Sequence, residues 1–357
     1  MTIYLDHAAT TPVIEPARAA IARGLAAWAN PSSPHGPGRA ARALLEEARA
    51  EIAGALGWRH DVILTSGASE AVAIVAARAR VAGRAYGATE HGIVGHAMGE
   101  GASVIAVGDD GLVDEAVLDA VLAAGPTLVA IQQVNNETGV IQPLDRIAAS
   151  VHAAGSMLLA DCAQGAGKIP LPDADFIALS AHKLGGPPGI GALLVRDLAT
   201  LDAVGGQEKG YRRGTQDMVS ALGFSEALAA RPYDMARLLD LREKLDAGVV
   251  AAGGTIIAAA GPRLATIASY PLPGASSAAL LVQLDAAGIA VSAGSACSSG
   301  TMKPSEVLAA MGVDPALAGA AIRVSFGPAT SDTEIDAFLA QFAAIAARAR
   351  PQHVGQA

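Results

Sequence analysis

The chain has 357 residues, 52% of them hydrophobic and only 17% charged, enough apolar material for one large domain and a smaller companion. A net charge of −9 with no long basic block argues against nucleic acid and anionic membranes as main partners, and no apolar run reaches the roughly 18–20 residues of a membrane span. Two cysteines, Cys162 and Cys297, are too few for a disulfide framework, and the first residues lack the basic start and apolar stretch of a signal peptide, so a reducing cytoplasm is expected.

Residues 1–40 read as irregular around one helical Ala/Arg pattern that ends near Trp28. The cluster from Asn30 to Gly36 is punctuated as a loop. From Arg39 to Leu56 apolar residues recur at helical spacing among Glu and Arg. Asp61 to Thr65 reads as a strand, Ser66-Gly67 as a turn, and a helix follows towards Arg80. Ser66 to Ser69 lie at that helix start, where free N–H groups favour an anion; simple capping by the two serines is the alternative.

Strand and helix patterns then alternate: strands at Ala85 to Ala88, Ser103 to Val107, Thr127 to Ile131 and Met157 to Ala160, helices near 114–123 and 144–154. Such alternation predicts an α/β domain with a largely parallel sheet. Ser66, His91, Asn136, Asp161, Gln164 and Lys183 all fall just past strand ends, the edge where open α/β sheets bind ligands. Asp161 follows Leu158-Leu159-Ala160 and so needs a cationic partner or several donors; it either pairs with a protonated ring nitrogen or caps the next segment. His91 is either an aromatic plate on a planar ring or a satisfied core histidine, the second being favoured on local evidence. Cys162 reads as a small buried hydrophobe.

Phe176-Ile177-Ala178-Leu179 reads as a short buried strand that delivers Ser180-Ala181-His182-Lys183 and then a Gly/Pro loop. A lysine at the rim of an apolar sheet can lose its proton and attack a carbonyl as a neutral amine; a solvated loop lysine is the other reading. Ser180 and His182 can donate to a phosphate. After the strand Ala192 to Val195 comes a glycine-rich stretch to Thr215, then helices over 217–230 and 234–252. The composition shifts near Arg231-Pro232, the expected domain boundary. The C-terminal part holds a strand near 264–270, a helix near 276–287, a strand from Ile289, another at Ala321 to Phe326, and a helix over 332–348. Cys297 stands among Gly, Ser and Ala, an exposed and reactive setting for a thiol. Arg323, alone in an apolar strand, must find an anion, whether a protein carboxylate or a substrate's. No metal-ligand spacing occurs.

Nine segments, taken in order, resemble the cysteine desulfurases, pyridoxal-phosphate enzymes of the class V aminotransferase group with the fold-type I architecture. They are Tyr4 to Pro12, Asn30 to Ser33, Thr65 to Glu70, Thr89 to His91, Val134 to Glu137, Asp161 to Gln164, Ser180 to Lys183, Arg212 to Thr215 and Gly294 to Ser298. The resemblance implies a large domain over 13–231, a smaller α+β domain over 232–357 carrying the Cys297 loop, and residues 1–12 packing with the smaller one. It implies that Lys183 holds pyridoxal phosphate as a Schiff base and later moves the substrate Cα proton. Asp161 would pair with the pyridinium nitrogen and His91 would stack on the ring, with Gln164 and Asn136 near the phenolic oxygen. Ala68, Ser69, Ser180 and His182 would bind the phosphate, joined by Thr215 from the other subunit of a homodimer. Arg323, together with Asn136, would bind the substrate, Arg323 holding the carboxylate of L-cysteine. Cys297 would take the sulfur as a persulfide and pass it to an acceptor protein, for iron–sulfur cluster or thio-cofactor supply. The sequence departs from the family pattern at His7, Cys162, Ser69, Pro188 and Arg213. A selenocysteine lyase, another class V enzyme and a non-catalytic partner-binding protein on the same fold are the rival readings.

Overall fold

A computed structural model describes residues 2–294 and 304–349. Eleven strands and twelve α-helices are defined among them. The strands are β1 (Ile3–Tyr4), β2 (Asp61–Thr65), β3 (Gly83–Gly87), β4 (Ser103–Ile105), β5 (Thr127–Gln132), β6 (Met157–Asp161), β7 (Phe176–Ser180), β8 (Gly191–Val195), β9 (Ile267–Pro271), β10 (Ile289–Ala290) and β11 (Ala321–Ser325). The helices are α1 (Glu15–Ala26), α2 (Gly36–Ala55), α3 (Ala68–Arg78), α4 (Gly92–Met98), α5 (Glu115–Ala123), α6 (Leu144–Ala153), α7 (Met218–Ala229), α8 (Met235–Ala251), α9 (Ser277–Ala286), α10 (Glu306–Ala310), α11 (Pro315–Ala318) and α12 (Asp332–Ala349).

Seven strands form one sheet in the order β2-β8-β7-β6-β5-β3-β4. All run parallel except β8, which is antiparallel to both its neighbours. The strands read as continuous apolar runs because both faces of the sheet are covered. Alternate residues go to opposite sides. Ile63, Leu128, Leu159, Phe176 and Leu193 pack with Val72 and Val75 of α3 on one face. Leu64, Val129, Leu158, Ile177 and Leu194 pack with Leu45 of α2, Ile147 of α6 and Phe224 of α7 on the other. The parallel strands therefore deliver their C-terminal ends, with the turns that follow, to one edge of the sheet.

A second, two-stranded sheet pairs β9 with β11 antiparallel. The N-terminal residues join this region: β1 pairs parallel with β10, Leu5 N–H donates to Ala290 O at 2.8 Å, and Leu5 O accepts from Ser325 N–H at 2.8 Å. Asp234, just beyond the Arg231-Pro232 composition shift, caps α8 by accepting from Arg237 N–H. Among the described residues no helix is long and apolar enough to cross a membrane.

Two local readings differ from the structure. The helix expected from Arg39 starts at Gly36, because Pro37 occupies the first turn, where its missing N–H costs nothing, and His35 Nδ1 caps Gly38 N–H. The strand expected to reach Val107 ends at Ile105, because Val107 instead bridges back to Val113 across the turn at Gly108 to Gly111.

Candidate active site

The site grows from the turn after β7. Ser180, the last residue of the strand, is followed by a single 3₁₀ turn over Ala181–Lys183. Gly186 must be glycine: a Cβ there would meet Ala181 Cβ at 2.9 Å, and Gly186 N–H closes the turn on Ala181 O. The Lys183 carbonyl accepts from Tyr233 Oη at 3.3 Å and Thr11 Oγ1 at 3.4 Å, while Thr11 N–H donates to His182 O at 2.8 Å. The main chain of the lysine is thus held from two sides while its amine projects into a cleft. Burial lowers the Lys183 pKa; the Asp161 charge opposes this and Arg323 adds to it. A lowered amine pKa is what attack on an aldehyde requires.

Asp161 ends β6 opposite Ala178 of β7 and Gln132 of β5. One carboxylate oxygen accepts from Ala163 N–H at 2.9 Å, and among the described residues no cation lies within ion-pair distance of it. Gln164 donates to Ala8 O, and its buried carbonyl oxygen has no partner. His91 caps α4, accepting from Ile93 N–H, and is exposed towards the cleft; the core placement that local evidence favoured is corrected, because its position at a helix start turns the ring outward. Partial burial and the Lys183 charge lower its pKa. Ala68, Ser69, His91, Asn136, Asp161, Gln164 and Lys183 line this one pocket.

Beside it lies the N-terminal end of α3. The main chain at Gly67 has φ +154° and approaches Gly191 so closely that a Cβ on Gly191 would stand 2.6 Å from Gly67 Cα. Residues 66–69, Ser180, His182 and Lys183 surround a shared groove that also reaches Pro188. Its free N–H groups, hydroxyls and imidazole suit a phosphate. Thr215 is exposed on the loop after Arg212 and is not part of this groove.

On the other side the cleft continues to Arg323, His182, Asn136 and Asp6. Arg323 is buried; Nη2 donates to Asp6 Oδ1 at 2.7 Å, Nη1 to Asn136 O at 3.0 Å, and Nε has no partner. Of the two anions expected for it, the protein carboxylate is present as Asp6. Glu137, buried beside it, accepts from Ser305 Oγ at 2.6 Å, and burial raises its pKa. Gly294 and Pro304 line the same cleft; Cys297, between them in sequence, lies outside the described residues.

Cys162 is buried and free, with burial and Asp161 pushing its pKa well up, so it is an inert thiol. His7 donates to or accepts from Thr11 Oγ1 at 3.2 Å, and burial lowers its pKa to about 4. Arg213 donates to Val204 O on the surface. Sequence reasoning missed Asp6, Glu90 and Glu137. Glu90 accepts from Gln132 N–H at 2.6 Å, and burial together with Asp161 raises its pKa well above the usual range. A carboxylate between Thr89 and a strand-end histidine was the available signal.

Residues 3–338 match the family model described as aminotransferase class-V. The chain is 37% identical, over 97% of its own length and 97% of the relative's, to a protein named IscS-like cysteine desulfurase from Mycobacterium tuberculosis. A NifS-like protein from Rickettsia africae superposes with a TM-score of 0.88 at 30% identity, covering 97% of this chain and 99% of that one. A structure described as SspA in complex with cysteine gives a TM-score of 0.79 at 27% identity, covering 93% and 100%. The chain belongs to the class-V aminotransferase family and, within it, to the cysteine desulfurases.

Proposed function

We propose that this chain is a pyridoxal-phosphate-dependent cysteine desulfurase that converts L-cysteine to L-alanine and carries the sulfur as a persulfide on Cys297. The observation that carries the reading is a pair of adjoining pockets that share Lys183, His91, Asn136 and Ser69, one lined by Asp161 and the other by Arg323, Gly294 and Pro304, the last two being the described residues on either side of Cys297.

The donor set fits the cofactor. Asp161 lacks a cation among the described residues, as a partner for a pyridinium nitrogen should. Gln164 has an unused oxygen aimed at the same pocket, and the α3 end supplies unpaired N–H groups for a phosphate. When bound, the cofactor supplies an electron sink for the pair released at the substrate Cα. Lys183 would hold the cofactor covalently and would move the proton at the substrate Cα. His91, exposed in the same pocket, would stack on the ring. Arg323, which lines the cleft together with Lys183, would hold the substrate carboxylate. Cys297 attacks the substrate sulfur as a thiolate: the S–S bond forms, the Cβ–S bond breaks, and its electron pair stays on carbon to be capped by a proton. The sum, cysteine plus thiol giving alanine plus persulfide, balances without an external oxidant.

A relative solved with cysteine supports the substrate. Thr215, exposed and clear of its own cleft, is free to reach the phosphate of a second protomer, so the working form is a homodimer. A sulfur-acceptor protein in a reducing cytoplasm completes the reading, with a large domain over 13–231, a smaller one over 232–357, and residues 1–12 tied to the smaller through β1 and β10. The test is a spectrum of the purified protein before and after L-cysteine, with alanine and sulfide assayed. A visible cofactor band that shifts, with equal alanine and reducible sulfur, is expected. Cys297→Ser should keep the band and abolish sulfur transfer; unchanged transfer would overturn the thiol's role, and a band with no alanine would overturn the substrate.

A further inference from the structure

The phosphate groove has an acidic residue within its own turn. Glu70 occupies the first turn of α3, two residues from Ala68 and next to Ser69. A carboxylate there interacts well with the helix dipole, yet it occupies the same electropositive end that a phosphate dianion would use. Its oxygens are not spare. Oε2 accepts from Ser66 N–H at 2.5 Å, bracing the Ser66-Gly67 turn from the position three residues past the cap. Arg212 Nε lies 3.0 Å from Oε1 and 3.2 Å from Oε2. Both partners are partly shielded, with side chains 22% and 30% exposed; burial pushes the Glu70 pKa up, but the Ser66 hydrogen bonds and Arg212 together outweigh it and hold the pKa low. Glu70 is therefore ionised when the cofactor binds, and Arg212 is the cation that masks it.

Arg212 also belongs to the loop that carries Thr215. That loop is anchored at its start by Glu208, whose buried carboxylate accepts from Arg49 and from Leu64 N–H of β2, the strand that leads into the Ser66 turn. The loop and the phosphate turn, 142 residues apart at the Arg212–Glu70 contact, are joined at two points.

We infer that Arg212 and Glu70 are positioning residues for the phosphate of the cofactor: Glu70 shapes the turn whose N–H groups receive it, and Arg212 cancels the charge that would otherwise repel it. The inference rests on the cofactor reading above. It specifies a sign that a plain structural brace does not. Removing Arg212 alone exposes Glu70 to the phosphate and should harm binding most. Removing both charges should harm it less, although more contacts are lost.

The experiment titrates cofactor-free wild type, Arg212→Ala, Glu70→Gln and the Glu70→Gln/Arg212→Ala double variant with pyridoxal phosphate and, separately, with pyridoxal, following the visible band. Arg212→Ala should bind pyridoxal phosphate about tenfold more weakly, Glu70→Gln only a few-fold, and the double variant should recover part of the Arg212→Ala loss. Pyridoxal, lacking the phosphate, should bind the Arg212→Ala and double variants alike. A double variant weaker than Arg212→Ala, or equal losses for both probes, would overturn the inference. Glu70→Gln keeps the size of the side chain and serves as the folded reference, its melting temperature checked beside wild type. Failure of the wild type itself to bind pyridoxal phosphate would instead overturn the cofactor reading.

Discussion

Glu208 and Arg49 form the ion pair whose removal should be felt furthest from where it is made. The Glu208 side chain is 0% exposed and Arg49 is 11% exposed. The carboxylate accepts from Arg49 Nη1 at 2.6 Å, Arg49 Nη2 at 2.9 Å and Leu64 N–H at 2.7 Å. The guanidinium has two further acceptors, Glu46 at 3.0 Å and the Val62 carbonyl at 2.8 Å. Breaking a buried pair from one side costs about 3–5 kcal/mol, because a charge stays behind unpaired. The two sides are unequal here. Glu208→Gln keeps one amide oxygen as an acceptor and leaves the arginine Glu46 and the Val62 carbonyl besides, so it should cost about 3 kcal/mol, whereas Arg49→Met leaves a carboxylate with one backbone donor and should cost about 5 kcal/mol. The Arg49→Met/Glu208→Gln double variant should be more stable than Arg49→Met, since no bare charge remains. Urea midpoints of the four cofactor-free proteins, followed by circular dichroism, measure the order. The reasoning is refuted if Arg49→Met is milder than Glu208→Gln, or if the double variant equals the sum of the singles. Because the pair roots the loop of Arg212 and Thr215, Arg49→Met should also weaken cofactor binding without touching the cleft.

Burial, opposed by the Gln132 N–H and reinforced by Asp161, raises the Glu90 pKa and so favours its neutral form. Glu90→Gln should therefore leave alanine production within about twofold of wild type; a large drop would mean that the side chain acts as an anion. His7, with a folded pKa of about 4 against an ordinary 6.5, resists protonation in the native state. Its contribution to stability is complete above pH 6.5 and is lost as the pH falls towards 4, by about 1–2 kcal/mol after allowance for partial exposure. His7→Asn should flatten the urea midpoint between those pH values, and an unchanged profile would remove His7 as the cause.

What could be read from the chain alone followed from residue type and local pattern. Asp161 and Lys183 each follow a buried apolar run, so their place at the ligand edge was legible once the strands were. Cys162 was legible as a small buried hydrophobe because it stands just past the apolar run Leu158 to Ala160. The rest depended on distance in the chain. Arg323 plainly needed an anion, but nothing near it identifies Asp6, 317 residues away. Glu70 looked like a helix residue because its partner Arg212 comes from another loop. His91 was misjudged because a histidine ahead of Gly92 and Ile93 suits a core equally well until the helix start fixes its direction. The start of α2 was missed because Pro37, a loop signal by composition, is a helix signal by position.

The one reversed strand, β8, has a consequence for how the site comes into being. It lies between β2 and β7 with Gly191 paired to both Thr65 and Ser180, so the lysine turn and the phosphate turn become neighbours only when strands more than a hundred residues apart are zipped together. Neither half has a local precursor that resembles the finished pocket. Closing so long a loop is entropically slow relative to helix formation, and a partly folded chain with β2 undocked presents an amine but no cradle. Cofactor capture should consequently report on completion of the sheet edge, and a nascent or unfolding chain should release its cofactor at the step when β2 parts from β8.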